Sequence, residues 1–247
     1  MSDSRGPRTD SRAQSHVVGV VLLLGITAVA LGGLTALVGS VVDAQTEAAD
    51  GARVASALDD ELRPTQQTGP GRVRLRFSEG RVETVQRDLR LLAPSGVVER
   101  VPVGALVYGS GSTRVAAVGG AVVRGRPGNA WLVRGPPVTV TRDEDALVVG
   151  AVALNESGVA VAGSGGVTVT VRTNVTHHHR RLPRRDYRVA LETATPGPVA
   201  RHFDRVGADT RTVDLDGDGV PSVVASVEGR QRVELVVHAV GAEVADG

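Results

Sequence analysis

The most regular hydrophobic pattern in the chain is an uninterrupted apolar segment near its N-terminus. No charged residue occurs in the 26 positions from Val17 to Val42. As a helix that rises about 1.5 Å per residue, this segment is about 39 Å long, enough to cross the roughly 30 Å hydrocarbon core of a bilayer. The pattern therefore predicts a transmembrane helix, and the membrane is the first expected partner.

Charges on either side of this span predict its orientation. The basic residues before it are Arg5, Arg8 and Arg12, and the first charged residue after it is Asp43. Because cytoplasmic flanks carry the excess of arginine, residues 1–13 are expected in the cytoplasm and the chain after Asp43 outside the cell. The sequence thus predicts a single-pass protein of the cell membrane with an extracellular head.

The helical pattern continues beyond the membrane. Small and apolar residues recur at helical spacing as far as Leu62, and Arg63-Pro64 should end the helix because a residue before proline avoids helical dihedrals. Six acidic residues against two arginines between residues 43 and 63 predict a solvated outer face. The predicted segments are a cytoplasmic leader over 1–13, a long helix over 14–62 and a head over 64–247.

From Arg72 onward the hydrophobic period changes from helical to alternating. The segment Arg72–Phe77 alternates strictly, as do Gly166–Arg172 and, nearly, Arg232–His238. Shorter strand candidates, separated by glycine, proline and asparagine, are Arg81–Gln86, Ala105–Tyr108, Arg114–Val118, Ala130–Val133, Val138–Thr141, Ala146–Leu154, Tyr187–Leu191 and Val223–Val227. One short helix is expected over Pro198–Val206. The predicted fold class is α+β by content but mainly β, a long N-terminal transmembrane helix followed by an all-β, sandwich-like head.

Composition excludes several classes of function. The chain has no cysteine and no lysine, which rules out thiolate zinc sites, P-loops, Schiff-base enzymes and Ser-x-x-Lys hydrolases. Five aromatic residues and a net charge of +1 argue against binding of nucleic acid. No catalytic motif stands out, so neither an enzymatic activity nor a small-molecule substrate is predicted.

The N-terminal segment RAQSHVVGVVLLLGIT, from Arg12 to Thr27, resembles the class III signal of archaeal type IV pilins. The resemblance implies that a prepilin peptidase cuts after the basic–small pair, between Ala13 and Gln14, and leaves the apolar helix on the mature protein. His16 stands where many relatives carry an acidic residue. A plain signal anchor is the alternative for this segment, whereas a cleaved secretory signal would have a shorter apolar region.

The head extends this resemblance. The segments GALVYG (Gly104–Gly109), VGGAVVR (Val118–Arg124) and Gly135-Pro136-Pro137 look like those of uncharacterised haloarchaeal proteins that join a pilin-like N-terminus to a β-rich ectodomain. In pilins the N-terminal helices bundle in the filament core. A stripe of small residues that would suit such packing lies on one face of the helix, at Gly25, Ala28, Gly32, Ala36 and Gly39.

Three polar segments of the head are candidate sites. Asn155-Glu156-Ser157 and Asn174-Val175-Thr176 are glycosylation sequons. The segment DLDGDG places Asp214, Asp216 and Asp218 at the first three ligand positions of a calcium loop, although Ala225 at the twelfth position supplies no carboxylate, so an aspartate-rich turn is favoured over a calcium site. The densest basic patch, predicted to be an exposed loop, comprises His177, His178, His179, Arg180, Arg181, Arg184, Arg185 and Arg188.

Together these features favour a non-enzymatic, pilin-like surface protein. Other pilin-like subunits and prepilin peptidase are its expected partners, and no cofactor is expected apart from calcium as a candidate ion. The main alternative is a signal-anchored extracellular domain that never polymerises and binds glycan or the surface layer. An anchored hydrolase is a third reading.

Overall fold

The fold class expected from the sequence is confirmed: a long N-terminal helix precedes a β-rich head. The computed structural model describes residues 11–126, 128–141, 145–155 and 160–245, without the side chains of residues 11–19, 36, 244 and 245. The elements, in chain order, are α1 (Ser11–Asp60), β1 (Gly69–Val85), β2 (Asp88–Ala93), β3 (Gly96–Pro102), β4 (Ala105–Ser110), β5 (Thr113–Val118), β6 (Ala121–Arg126), β7 (Asn129–Arg134), β8 (Val138–Thr141), β9 (Ala146–Leu154), β10 (Ala160–Arg185), β11 (Arg188–Glu192), α2 (Pro196–Arg205), β12 (Asp209–Val213), β13 (Ser222–Ser226) and β14 (Gln231–Ala245).

The chain divides into two compact units at Thr46/Glu47, within α1. In the first unit the large apolar side chains of α1 are exposed, with Leu23 at 70% and Val29 at 77%. The helix is long and apolar enough to cross a membrane. It is therefore a candidate membrane-spanning helix of a single-pass protein.

The second unit contains two sheets. Among the described residues, nine strands form one sheet in the order β7-β6-β5-β4-β1-β10-β14-β9-β8, and five form the other in the order β12-β13-β11-β2-β3. Neighbouring strands are antiparallel except for β14 and β9, which run parallel. The strand β1 pairs with β10 over most of its length and with β4 near its C-terminal end.

The nine-stranded sheet is apolar on both faces. Val107 of β4 and Val149 of β9 face the five-stranded sheet, in a core completed by Leu191 and by Phe203 of α2. The next residue along β4, Tyr108, points to the opposite face and into a second core. This alternation gives the sheet two buried faces, so each face needs its own covering layer.

The C-terminal part of α1 covers the second face. Val54, Leu58 and Leu62 are buried there against strands of the nine-stranded sheet. Gly51 permits this close approach, because a Cβ at that position would lie only 2.5 Å from Cγ2 of Thr113. The last turns of the helix are therefore part of the head.

Asp43, Asp60 and Glu61 are exposed, as the sequence suggested, but Asp50 is not. Asp50 is 1% exposed, and its Oδ2 accepts a hydrogen bond of 2.6 Å from the backbone N–H of Ser78. Ser78 lies at an irregularity of β1, between Phe77 and Glu79 in the pairing with β10. An unpaired donor at such a bulge is satisfied by the helix carboxylate, which explains why the charge faces the sheet.

The strands differ from the prediction in two ways: two predicted strands are one, and four strands were missed. The predicted strands Arg72–Phe77 and Arg81–Gln86 belong to one strand, β1, that passes through the irregularity at Ser78. The strands β2, β3, β6 and β12 were not predicted, since they are short or lack a clean apolar alternation. The predicted bounds Ala146–Leu154 and Val138–Thr141 agree with the structure.

We expect Leu58→Ala to lower the free energy of unfolding by about 2–5 kcal/mol, because the fully buried side chain leaves a cavity between α1 and the sheet. Denaturant unfolding of the full chain in detergent, followed by fluorescence of Trp131, its single tryptophan, measures the loss. Ser56→Ala, at an exposed position of the same helix, is the control and should change the stability by less than about 0.5 kcal/mol. Equal losses in the two variants would contradict the packing of α1 on the sheet.

Candidate functional site

The aspartate-rich segment Asp214–Gly219 forms the turn between β12 and β13. The carboxylate of Asp214 accepts hydrogen bonds from the N–H groups of Gly217 at 2.8 Å and Gly219 at 3.0 Å, and these bonds lower its pKa. The φ angles of the two glycines are 78° and 84°, a left-handed conformation that glycine adopts without strain. The turn expected from the sequence is present.

The buried side chain of Arg90 contacts this turn and binds three carboxylates. Its Nη2 lies 2.5 Å from Oδ2 of Asp216, 2.7 Å from Oδ2 of Asp88 and 3.3 Å from Oε2 of Glu192. Arg100 joins them from the rim, where its Nε donates to Asp88 at 2.7 Å. We call these five residues the Arg90 cluster.

Strand pairing places the Arg90 cluster on the face of the five-stranded sheet away from the main core. Along β2, Leu89 and Leu91 enter the core, so Asp88 and Arg90 point the opposite way. Arg100 lies opposite Arg90 on β3. Of the five residues, Asp216 was a predicted site residue, whereas Asp88, Arg90, Arg100 and Glu192 were not. Their alternation with leucine in the segment DLRL was the available signal for a strand with one polar face.

Glu192 is the acid that folding perturbs most clearly in this cluster. Burial raises its pKa, the nearby carboxylate of Asp218 adds to the rise, and the guanidinium groups of Arg90 and Arg87 oppose it. Because the folded-state pKa lies above the unfolded value, Glu192 favours the folded state at acid pH, below its ordinary pKa. That contribution is lost as the pH rises through the folded-state pKa.

A cavity of about 540 Å³ opens beside the Arg90 cluster. Its lining residues are Val85, Gln86, Arg87, Asp88, Arg100, Pro102, Gly104, Leu154, Asn155, Glu192, Asp216 and Asp218. The volume is within the range of small-ligand sites, but most lining side chains are charged or polar instead of apolar. The cavity therefore suits a polar ligand better than an apolar one.

Among the residues that the structure describes, two acidic groups have the spacing to hold a metal ion. Carboxylate oxygens of Asp88, Glu192 and Asp216 lie within 4.8 Å of one another, as do those of Asp214, Asp216 and Asp218. Nη2 of Arg90 already occupies the centre of the first group, so a divalent cation there would meet a like charge at close range. The second group is exposed, and a calcium ion on Asp214, Asp216 and Asp218 stays a prediction.

Comparison with known proteins places the chain in a family. A model described as a family of unknown function, DUF7289, matches residues 12–243. The chain belongs to DUF7289. No curated protein and no solved structure matches it significantly.

In this member of DUF7289 the histidine- and arginine-rich segment is not the exposed loop that the sequence suggested. Residues 177–185 are the end of β10 and pair with β14, and Arg188 begins β11. The segment lacks an apolar alternation because both of its faces are largely exposed. Its cations are paired instead, with Arg181 2.7 Å from Glu234 and Arg180 2.6 Å from Glu99.

The two sequon asparagines are exposed. Asn174 lies within β10, and Asn155 follows β9 and lines the polar cavity. Glu156 and Ser157 of the first sequon lie outside the described residues. Both asparagines remain predicted glycosylation sites.

The leader and the small-residue stripe belong to α1. The backbone of Arg12, Ala13 and Gln14 is helical, and their side chains lie outside the described residues, as does that of Ala36. A Cβ at Gly25, Gly32 or Gly39 would have no heavy atom within 4 Å.

We expect Arg90→Met to lower the free energy of unfolding by about 3–5 kcal/mol, because it leaves buried carboxylates without their cation. The full chain in detergent is melted with calcium and with EDTA. Calcium should restore part of the lost stability in the variant.

Arg100→Met is the matched control. Its guanidinium is 61% exposed and binds Asp88 from the rim, so the loss should be much smaller. Equal losses in the two variants would contradict the central role of Arg90. A calcium-dependent rise in the unmodified chain would assign the ion to the turn of Asp214, Asp216 and Asp218.

Proposed function

We propose that this member of DUF7289 is a pilin-like, non-enzymatic surface protein. Its N-terminus would lie in the cytoplasm, α1 would cross the cell membrane and the head would face the exterior. It would act as a structural or minor subunit, or as an adhesin, of a type IV pilus-like assembly. Prepilin peptidase and other pilin-like subunits are its proposed partners.

The glycines of the candidate span carry this proposal. A side chain at Gly25, Gly32 or Gly39, the glycines of the stripe, would meet nothing in the described part of the chain. Glycine is a poorer helix former than alanine, so these positions weaken the helix without an intrachain benefit. Close packing against a helix of another subunit gives them a role, because small residues allow two backbones to approach.

Further support comes from the start of the helix. The cut proposed between Ala13 and Gln14 would leave nearly all of α1 on the mature protein, with the apolar run beginning at Val17, close to the new N-terminus. The last turns of the same helix pack into the head through Val54 and Leu58, and Leu62 continues this contact just after the helix. A processed chain would therefore keep its head joined to the assembling helix by one continuous element.

The polar cavity favours a second candidate, a signal-anchored binding domain that never polymerises. Its volume and its charged lining, with Arg87, Arg100 and Glu192, suit a polar ligand such as a glycan. An anchored receptor needs α1 only as a membrane anchor. Processing at Ala13 and packing through one face of α1 separate the two candidates.

We expect the protein recovered from its native membrane to begin at Gln14. Mass spectrometry of its N-terminal peptide measures this directly. A mature chain that retains Arg12 and Ala13 would overturn pilin-type processing and favour the signal anchor.

We expect Gly32→Cys to form disulfide-linked dimers in the membrane much more readily than Gly33→Cys. The chain contains no cysteine, so each variant carries a single thiol. The two positions lie at almost the same depth but about 100° apart around the helix, and only Gly32 belongs to the stripe. Non-reducing electrophoresis after mild oxidation compares them. Equal dimer formation would contradict packing through this face.

A further inference from the structure

Two histidines face each other across neighbouring strands of the nine-stranded sheet. His177 of β10 lies opposite His238 of β14 in the register, and their Nδ1 atoms are 2.8 Å apart. Both share a face with Val175 and Val240, which are buried in the core beneath α1. His238 is 8% exposed, whereas His177 is open to solvent.

The other nitrogen of each ring is held by a partner from the connection between α1 and β1. Oγ1 of Thr68 lies 2.8 Å from Nε2 of His177, and the carbonyl oxygen of Pro64 accepts a hydrogen bond from His238. Since Nδ1 of His238 faces His177, its donor to Pro64 is Nε2. Such outer contacts fix the ring orientation of histidines that ligate metals, and they leave the opposite nitrogen to bind the ion.

This network specifies where the protons lie in the neutral pair. A carbonyl oxygen only accepts, so His238 carries its proton on Nε2 and offers a lone pair at Nδ1. His177 therefore donates from Nδ1, and its Nε2 accepts from the hydroxyl of Thr68.

The separation of the two nitrogens matches one metal geometry in particular. With metal–nitrogen bonds of about 2.0–2.1 Å, two ligands at 90° are about 2.9 Å apart, whereas two ligands at the tetrahedral angle are about 3.3 Å apart. The observed 2.8 Å fits adjacent positions of a tetragonal or octahedral ion, the geometry of Cu²⁺ and Ni²⁺ sites with nitrogen and oxygen ligands. We propose that His177 and His238 form a two-histidine site for such a divalent transition metal, with water in the remaining positions.

Binding needs only a rearrangement of protons within the network. When the ion takes both Nδ1 lone pairs, the proton of His177 moves from Nδ1 to Nε2. The hydroxyl of Thr68 then turns from donor to acceptor, which a freely rotating hydroxyl allows. The neutral pair thus exchanges its bridging proton for a metal ion without a net release of protons.

The remaining histidines of the run are placed differently. His178 points to the opposite face of β10, because side chains alternate along a strand. Nε2 of His179 lies 2.7 Å from Oε2 of Glu234, whose Oε1 lies 2.7 Å from Nε of Arg181. Glu234 therefore holds His179 in an ion-pair cluster, separate from the His177–His238 pair.

Isothermal titration of the full-length, untagged chain in detergent at neutral pH, with Ni²⁺ as the probe, tests the proposal. We expect His177→Asn and His238→Asn each to weaken Ni²⁺ binding at least about tenfold. Removal of a group that only hydrogen-bonds to a metal ligand already lowers metal affinity about 10–100-fold. His178→Asn and His179→Asn are matched controls and should change the affinity by less than about twofold.

Two results would overturn this site. One is a loss of affinity in His178→Asn or His179→Asn as large as that in His177→Asn, which would indicate diffuse binding by the whole run. The other is unchanged binding in His177→Asn. Melting of each variant without metal shows whether it is folded, and the exposed position of His177 keeps the test valid should His238→Asn unfold.

Discussion

The head is organised by a sheet that is apolar on both faces. Successive residues of β4, such as Val107 and Tyr108, enter different cores, so neither face of the nine-stranded sheet can be left to water. The five-stranded sheet and α2 cover one face, and the last turns of α1 cover the other. At about 25 cal/mol for each Å² of apolar surface removed from water, detaching the helix would expose Leu58 and its neighbours at a cost of several kcal/mol. The helix that carries the candidate span is for this reason also a structural layer of the head.

Apolar burial holds α1 on the sheet, but directional polar contacts determine its position along it. The carboxylate of Asp50 accepts from Ser78 at the irregularity of β1, which a slide of one helical turn would break. Farther along, Arg134 donates to the carbonyl oxygen of Asp59, one of the groups that the end of a helix leaves without an internal partner, and to that of Leu62 just beyond the helix. Burial raises the cost of losing any of these contacts, since each would leave a polar group unsatisfied. Hydrophobic contact is tolerant of small shifts, and these hydrogen bonds are not.

The fold was more predictable from the sequence than the site was. The uncharged run from Val17 and the alternation in Arg72–Phe77 depend on local periodicity, which one sequence displays. The Arg90 cluster joins β2, β3, β11 and the turn after β12, and Arg90 and Asp216 are 126 positions apart in the chain. No local pattern reports such a contact. Asp50 of α1 illustrates the same limit. The sequence shows its charge but not that the backbone N–H of Ser78 on β1 donates to it. The histidine run is a similar case: because it pairs as a strand, His177 and His178 point to opposite faces of the sheet, which the sequence did not show.

The unusual residues of the two units have different explanations. In the head, Gly51 is required by the approach of Thr113, and the buried charge of Arg90 is required by its carboxylates. In the candidate span, the glycines meet no side chain or backbone of the described chain. The role that we propose for them is contact with a helix of another subunit. Lipid surrounds a helix evenly and does not distinguish one face from another, whereas a second helix contacts a single stripe. A face-dependent effect at Gly32 but not at Gly33 would consequently identify a protein neighbour and not the bilayer.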